Sequence, residues 1–339
     1  MRPTPAFHTS SAMQGFSAEF RNLDDYIRVI TDRIWEGRQI EAIRDYYSDP
    51  CGVITPGGAT TDMQSVIDGT KATLAQFPDR RLFAEDVIEA GDAQTGFLSS
   101  HRIISTMTHL GDGNFGKASG KKIHVRTVAD CVCKDNRIVH EWLVRDQGAI
   151  AQALGITPQS LAKQWLAASA TPLRHTSEPA APIWWRNPMS DDPLAKRYAQ
   201  SVCQMLIGKG HDGTLYDEAA CSLGPLNSTH YGRNEIQGFY ADLASSISTS
   251  SCEVESVTFM PASSSTGRPP RAALRWRLKG QHSGQGRYNA LAGNSLNILG
   301  IQHAEFVKIG NTWQVHREWV LVDDVAVWMQ VLDGTVANQ

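Results

Sequence analysis

The apolar positions begin at helical spacing and then change to strict alternation. Between Asp24 and Asp45, Tyr26, Ile27, Ile30, Ile34, Ile40 and Ile43 recur about once per helical turn with a break near Gly37, which predicts two consecutive helices. Tyr46 to Thr55 reads as extended and runs into the turn-rich Pro56-Gly57-Gly58. Val66, Ile67, Thr70, Leu74 and Phe77 predict a third helix over Met63 to Phe77, stopped by Pro78. Alternation then predicts strands over Leu82 to Ala90, Thr95 to Leu110, Lys121 to Lys134 and Arg137 to Asp146, with Gly91-Asp92, Gly111-Asp112-Gly113 and Asn136 at the turns. A helix over Ala149 to Ala168 follows.

Beyond it, Ser, Thr, Pro and Ala dominate without any period, which predicts a linker over 169–190. From Asp192 the order restarts: a helix through Leu194, Tyr198, Val202 and Met205, an extended piece near Cys221, a helix from Asn234 to Leu243, and four strand candidates. The last hairpin of each set ends alike, Glu141-Trp142-x-x-x-Asp146 and Glu318-Trp319-x-x-x-Asp323, at a separation of 323 − 146 = 177. Ile67-Asp68-Gly69 aligns with Ile236-Gln237-Gly238 at 236 − 67 = 169, and insertions such as Pro261 to Pro270 account for the drift. The expectation is an N-terminal extension over 1–22 and two α+β domains, 23–168 and 191–339. In each, about three helices cover a curved antiparallel sheet shaped as a cone, whose mouth suits a small ligand.

Composition narrows the partners. Two domains are natural for 339 residues, and a charged fraction of 20% with a formal charge of -3 argues against a polyanion and for a small molecule. No nucleic acid and no membrane partner is expected. Met1 to Asn22 lacks an apolar stretch bounded by a cleavage site, and no window is long enough to span a bilayer, so a cytoplasmic protein is expected. The six cysteines stand singly or as Cys131-Val132-Cys133, without zinc or disulfide-framework spacing, so reduced thiols and no metal are expected.

Several motifs in the first domain occur in a telling order: Phe77-Pro78-Asp79, the Gly91-Asp92 turn, His109-Leu110-Gly111 with Ser119-Gly120-Lys121, and Arg137-Ile138-Val139-His140-Glu141-Trp142 with Asp146. Over roughly Asp24 to Leu154 they resemble the SnoaL-like polyketide cyclase family, and the second domain keeps only the closing motif. The resemblance implies a nuclear-transport-factor-two-like cone, here in tandem, and a cofactor-independent ring closure with an Asp base at the position of Asp146. It also implies that such cones pair through their open sheet faces, so an intrachain pseudo-dimer is expected. Where those cyclases carry an amide and then a His, this chain has Asp130 and Val132. That departure leaves isomerisation or dehydration open beside cyclisation, and a non-catalytic binding or interaction module of the same fold remains the alternative.

If the fourth strand is regular, Ile138, His140, Trp142, Val144 and Asp146 share one face, which is the cavity face if Asp146 lines the cavity, and Glu141 then faces away. Asp146 and Asp130 are then candidate acid–base groups, with Trp142 as a wall and His101, His109, His124 or Arg126 as donors to an enolate oxygen. Tyr46 and Tyr47 could offer a phenol. In the second domain Trp319, Asp323, His303 and Glu305 could line a polar pocket. Against these readings stand plainer ones: Trp142 and Trp319 as core aromatics, and Asp146 as the N-cap of the helix that follows it.

Overall fold

The computed structural model describes residues 13–168, 178–210 and 212–336, side chains being described to 333. Residues 1–12 of the expected extension and 169–177 of the expected linker lie outside the described residues. The elements are α1 (Leu23–Thr31), a π-helical turn (Asp32–Glu36), α2 (Ile43–Tyr46), β1 (Tyr47–Thr55), β2 (Gly58–Thr60), α3 (Met63–Gln76), β3 (Arg81–Asp92), β4 (Gly96–Thr108), β5 (Lys122–Lys134), β6 (Arg137–Arg145), α4 (Gln147–Leu154) and α5 (Pro158–Ala168). The second set is α6 (Pro193–Leu206), β7 (Tyr216–Leu223), β8 (Thr229–Tyr231), α7 (Gly232–Ser245), β9 (Ile247–Met260), β10 (Arg271–His282), β11 (Ser295–Ile309), β12 (Thr312–Leu321) and α8 (Asp324–Val336).

Local chemistry sets the boundaries. Asn22 caps α1 by accepting from the Asp25 N–H, Asp62 caps α3 through Gln64 and Ser65, and Asp192 caps α6, whose first residue is Pro193. The single helix expected over Ala149 to Ala168 is two. Gly155 takes the left-handed conformation (φ 83°) that ends α4, and Pro158 starts α5.

The two sheets have the same strand order, β2-β1-β6-β5-β4-β3 and β8-β7-β12-β11-β10-β9. The fold is therefore α+β with two six-stranded sheets. Neither sheet is wholly antiparallel as expected, because β1 runs parallel to β6 and β7 parallel to β12. Even the irregularities repeat. Val139 is skipped between the pairs Val132–His140 and Cys133–Ile138, and His316 between Glu305–Arg317 and Phe306–Val315, so each closing strand carries one bulge at the same place.

Each sheet is covered on one face by the helices of its own half. Tyr26, Ile27, Ile30 and Ile34 pack on Val87, Phe97 and Cys133, and Tyr198, Val202 and Phe239 pack on Leu274, Trp276 and Phe306. The other faces meet each other, with Ile54, Leu98, Val128, Val132, Trp142 and Val144 against Leu299, Ile301 and Leu321. Helices α5 and α8 join in a further cluster of Ile150, Leu161, Val325 and Leu332. No helix among the described residues is long and apolar enough to cross a membrane.

Candidate functional site

Inside the first half, between the sheet and its helices, lies a cavity of about 390 Å³. Its apolar wall includes Ile27, Ile30 and Trp35 from the first helical segment, Ile103 from β4 and Leu143 from β6. The second half contributes Asp323, Ala326 and Met329, so the chain's last helix helps to close the first cup. The polar lining includes Tyr47, Arg80, His101, Thr127, Glu141, Arg145 and Gln147.

Glu141 is the buried carboxyl that the first half contributes to this cavity, beside Asp323 from the second. Burial pushes its pKa up to about 7, against the pull of a hydrogen bond from the Tyr47 phenol and the charge of Arg145. A carboxyl held there is populated in both protonation states near neutrality. His101 is neutral, its pKa lowered to about 3 by burial and then by the charges of Arg28 and Arg102. His101 Nε2, Thr127 Oγ1, Arg145 Nε and Gln147 Oε1 are buried without a hydrogen-bond partner. Four unpartnered polar atoms around one hollow form a set that a polar ligand could satisfy.

The second cup is filled at the equivalent place. Trp276 pairs with Gly300 as Ile103 pairs with Thr127, the offsets agreeing (276 − 103 = 300 − 127 = 173). Exchanging Ile for Trp on one strand and Thr for Gly on the next lets an indole occupy the space that is open in the first cup. A Cβ added to Gly300 would lie 2.2 Å from the Trp276 ring. Glu318, the counterpart of Glu141, accepts from the phenols of Tyr198 (2.8 Å), Tyr216 (2.9 Å) and Tyr240 (3.1 Å) and from Ser222 (3.0 Å). The same carboxylate is thus saturated in one half and faces open space in the other.

The expected site residues divide sharply. His101 lies in the cavity wall. Asp130, Val132 and Trp142 do not; they share one face, as expected, but it is the face turned into the seam between the sheets, and the bulge at Val139 puts Ile138 on the opposite, cavity side. Glu141, expected to face away, lies on the other face with Leu143 and Arg145, and that face lines the cavity. In the seam Asp130 accepts from Arg275 (2.6 Å) and Ser100, and Trp142 lies under Arg275. Arg126 pairs with Glu85, His124 is exposed, and His109 is buried beside Phe77 with Nδ1 on Ser119 Oγ (3.2 Å). Of the two tyrosines, Tyr46 binds Arg33 and Tyr47 lines the cavity.

Asp146 is the N-cap of α4. Its Oδ1 accepts from the Ala149 N–H (2.9 Å) and its Oδ2 from the Asn227 N–H (3.3 Å). Burial, then the charge of Asp324, pushes its pKa up to about 7. It does not line the cavity, whereas its counterpart Asp323, expected in a second-domain pocket, does. Trp319 and His303 also belong to the seam, where His303 sits against Ser100 (2.8 Å) and Arg102 (3.0 Å). Glu305 lies 3.8 Å from Arg317. Sequence reasoning missed Arg80, Thr127, Arg145 and Gln147; the paired positions of Ile103 and Trp276 were the signal that could have located the hollow cup.

No family model and no curated protein matches the chain. Solved structures similar to part of it include a proposed polyketide cyclase from Streptomyces antibioticus (20% identity, 39% of this chain and 98% of that one, TM-score 0.35). Two others are a SnoaL-like polyketide cyclase from Agrobacterium tumefaciens (18%, 40% and 100%, TM-score 0.34) and a proposed hydroxylase from Streptomyces galilaeus (16%, 40% and 83%, TM-score 0.34). Likenesses this distant leave function to be argued from the chain's own residues.

Proposed function

We propose that the first half acts on a hydrophobic, carbonyl-bearing small molecule by proton transfer at carbon, as a cofactor-independent cyclase or related lyase or isomerase. The tandem SnoaL-like reading of the motifs agrees with that chemistry, and one observation carries it: Glu141, a carboxyl with its pKa pushed up to about 7, lines a hollow ringed by unpartnered polar atoms. In this reading Glu141 takes the role that the resemblance assigns to Asp146, whose oxygens are engaged by backbone N–H groups. As carboxylate, Glu141 removes a proton α to the carbonyl. Arg145 Nε, Thr127 Oγ1 and the neutral His101 ring are the candidate partners for the resulting enolate oxygen. The second half serves as a filled packing partner that closes the cavity.

The test does not require the natural substrate. In deuterated buffer, the protein should accelerate α-deuterium exchange of a hydrophobic 1,3-diketone such as 2-methyl-1-phenylbutane-1,3-dione, followed by proton NMR. Glu141→Gln should remove the acceleration. Binding of the diketone without faster exchange would favour the non-catalytic binding module, the reading that the capping role of Asp146 supports.

A further inference from the structure

A second cavity of about 480 Å³ lies beside the first, and both are lined by Gly69, Thr73, Arg80, Arg145 and Gln147. The two hollows therefore meet at a pair of guanidinium groups. Elsewhere in the molecule buried arginines have carboxylates: Arg102 has Glu85, Arg271 has Asp86, Arg275 has Asp130 and Glu255, and Arg277 has Glu178 and Glu255. Arg80 and Arg145 have none within ion-pair distance among the described residues. Arg80 donates only to the Ser105 hydroxyl (3.2 and 3.4 Å), and Arg145 Nε has no partner. Burial lowers the pKa of both, and for Arg80 the next cause is the charge of Arg145 itself. The carboxyls whose charge acts on Arg145, Asp323 and Glu141, are themselves pushed toward the neutral acid by burial.

Two unpaired like charges at a cavity junction are costly unless something of opposite sign enters. Tetrahedral and planar anions both suit guanidinium forks, and the mostly apolar first cavity limits the remainder of the ligand. We infer that Arg80 and Arg145 form an anion-binding subsite, so that the ligand is an elongated apolar molecule whose carboxylate or phosphate group sits where the two cavities meet. The inference rests on the cavity being the ligand site, as proposed above, and adds the charge and placement of the ligand's head group.

The probes are decanoate, decanamide and decyl phosphate, read by quenching of the tryptophan emission to which Trp35 and Trp165, in the cavity wall, contribute. Decanoate should bind the wild-type chain roughly ten-fold or more tightly than decanamide, since charge-assisted hydrogen bonds are lost in the amide. Arg145→Gln and Arg80→Gln should each erase most of that preference. Equal affinity for decanoate and decanamide in the wild-type chain overturns the inference, a comparison that no folding defect can confuse. So does a preference that survives both substitutions, while the tighter of decanoate and decyl phosphate identifies the anionic group. Equal binding with intact diketone exchange would remove the anion subsite alone, whereas a decanoate preference without exchange would remove the proton-transfer reading alone.

Discussion

The guanidinium of Arg275 lies 3.6 Å above the ring centroid of Trp142, across the seam between the two sheets. Arg102 does the same to Trp319, also at 3.6 Å, so the contact is made twice in opposite directions. Each arginine is held from behind by its own sheet: Nε of Arg275 donates to Glu255 (3.0 Å) and Nε of Arg102 to Glu85 (3.1 Å). Both glutamates are skipped in the pairing of β3 with β4 and of β9 with β10, so a bulge aims each one at its arginine. The polar partners beyond the stacks differ, Asp130 for Arg275 and His303 for Arg102. Burial and the Arg102 charge keep His303 neutral.

Arg275 is fully buried with Asp130, so removing it alone strands a carboxylate. Arg275→Met should lower unfolding free energy by about 3–5 kcal/mol, and adding Asp130→Asn should recover part of the loss. Urea denaturation of the two variants and Asp130→Asn measures the coupling. Additive effects would mean that the pair contributes no specific interaction.

The filled cup supplies its own instructions for filling the other. Ile103→Trp with Thr127→Gly places in the first cavity the pair that occupies the second, Trp276 and Gly300. The double variant should fold cooperatively and lose at least about ten-fold in affinity for decanamide, since an indole displaces the ligand's apolar part. Unchanged affinity, measured by tryptophan quenching or calorimetry, would place the ligand elsewhere.

The repeat, the element order and the α+β class were legible because alternation and helical spacing survive in both copies and the closing motif marks the register. Which face of β6 turns inward was not. Both faces of the first sheet are buried, Val128, Val132 and Val144 on one side and Ala129, Cys131 and Cys133 on the other, so hydrophobicity did not distinguish them. Asp146, whose expected place in the cavity assigns the face, caps α4 instead of lining the cavity, and the bulge at Val139 separates Ile138 from His140, Trp142 and Val144. Arg145 and Arg80 gave no signal because isolated arginines near strand ends usually face water; here α5 and α8 close over that region.

Thr127 and Gly300 occupy the same place in the two sheets and should respond oppositely. Gly300→Ala drives a Cβ to 2.2 Å from the Trp276 ring and should cost about 1–3 kcal/mol, because the indole is hemmed in and holds a 2.8 Å hydrogen bond to Gln302. Thr127→Val removes a buried hydroxyl that has no partner and should leave stability level or raised by up to about 1 kcal/mol. Chemical denaturation of the two single variants decides it, with equal destabilisation counting against an open first cup.

Glu141, a raised carboxyl of the first cavity, gives stability a definite pH dependence. Glu141 titrates at about 7 in the folded chain against an ordinary 4.5, so between those values the folded state holds a proton that the unfolded chain has released. Unfolding free energy from this group therefore falls as pH rises through that window, by an amount on the order of 3 kcal/mol, and is constant on either side. Glu141→Gln cannot release a proton. Relative to wild type, the variant should gain stability between about pH 4 and about pH 8 by that order of magnitude. Asp146, pushed up to about 7 from 3.8, acts with the same sign and remains in both proteins, so it cancels from the comparison. Denaturant unfolding of both proteins at the two pH values gives the difference directly. A stability difference independent of pH would mean that Glu141 ionises in the folded chain as it does in water, and the basis for assigning it the proton transfer would be gone.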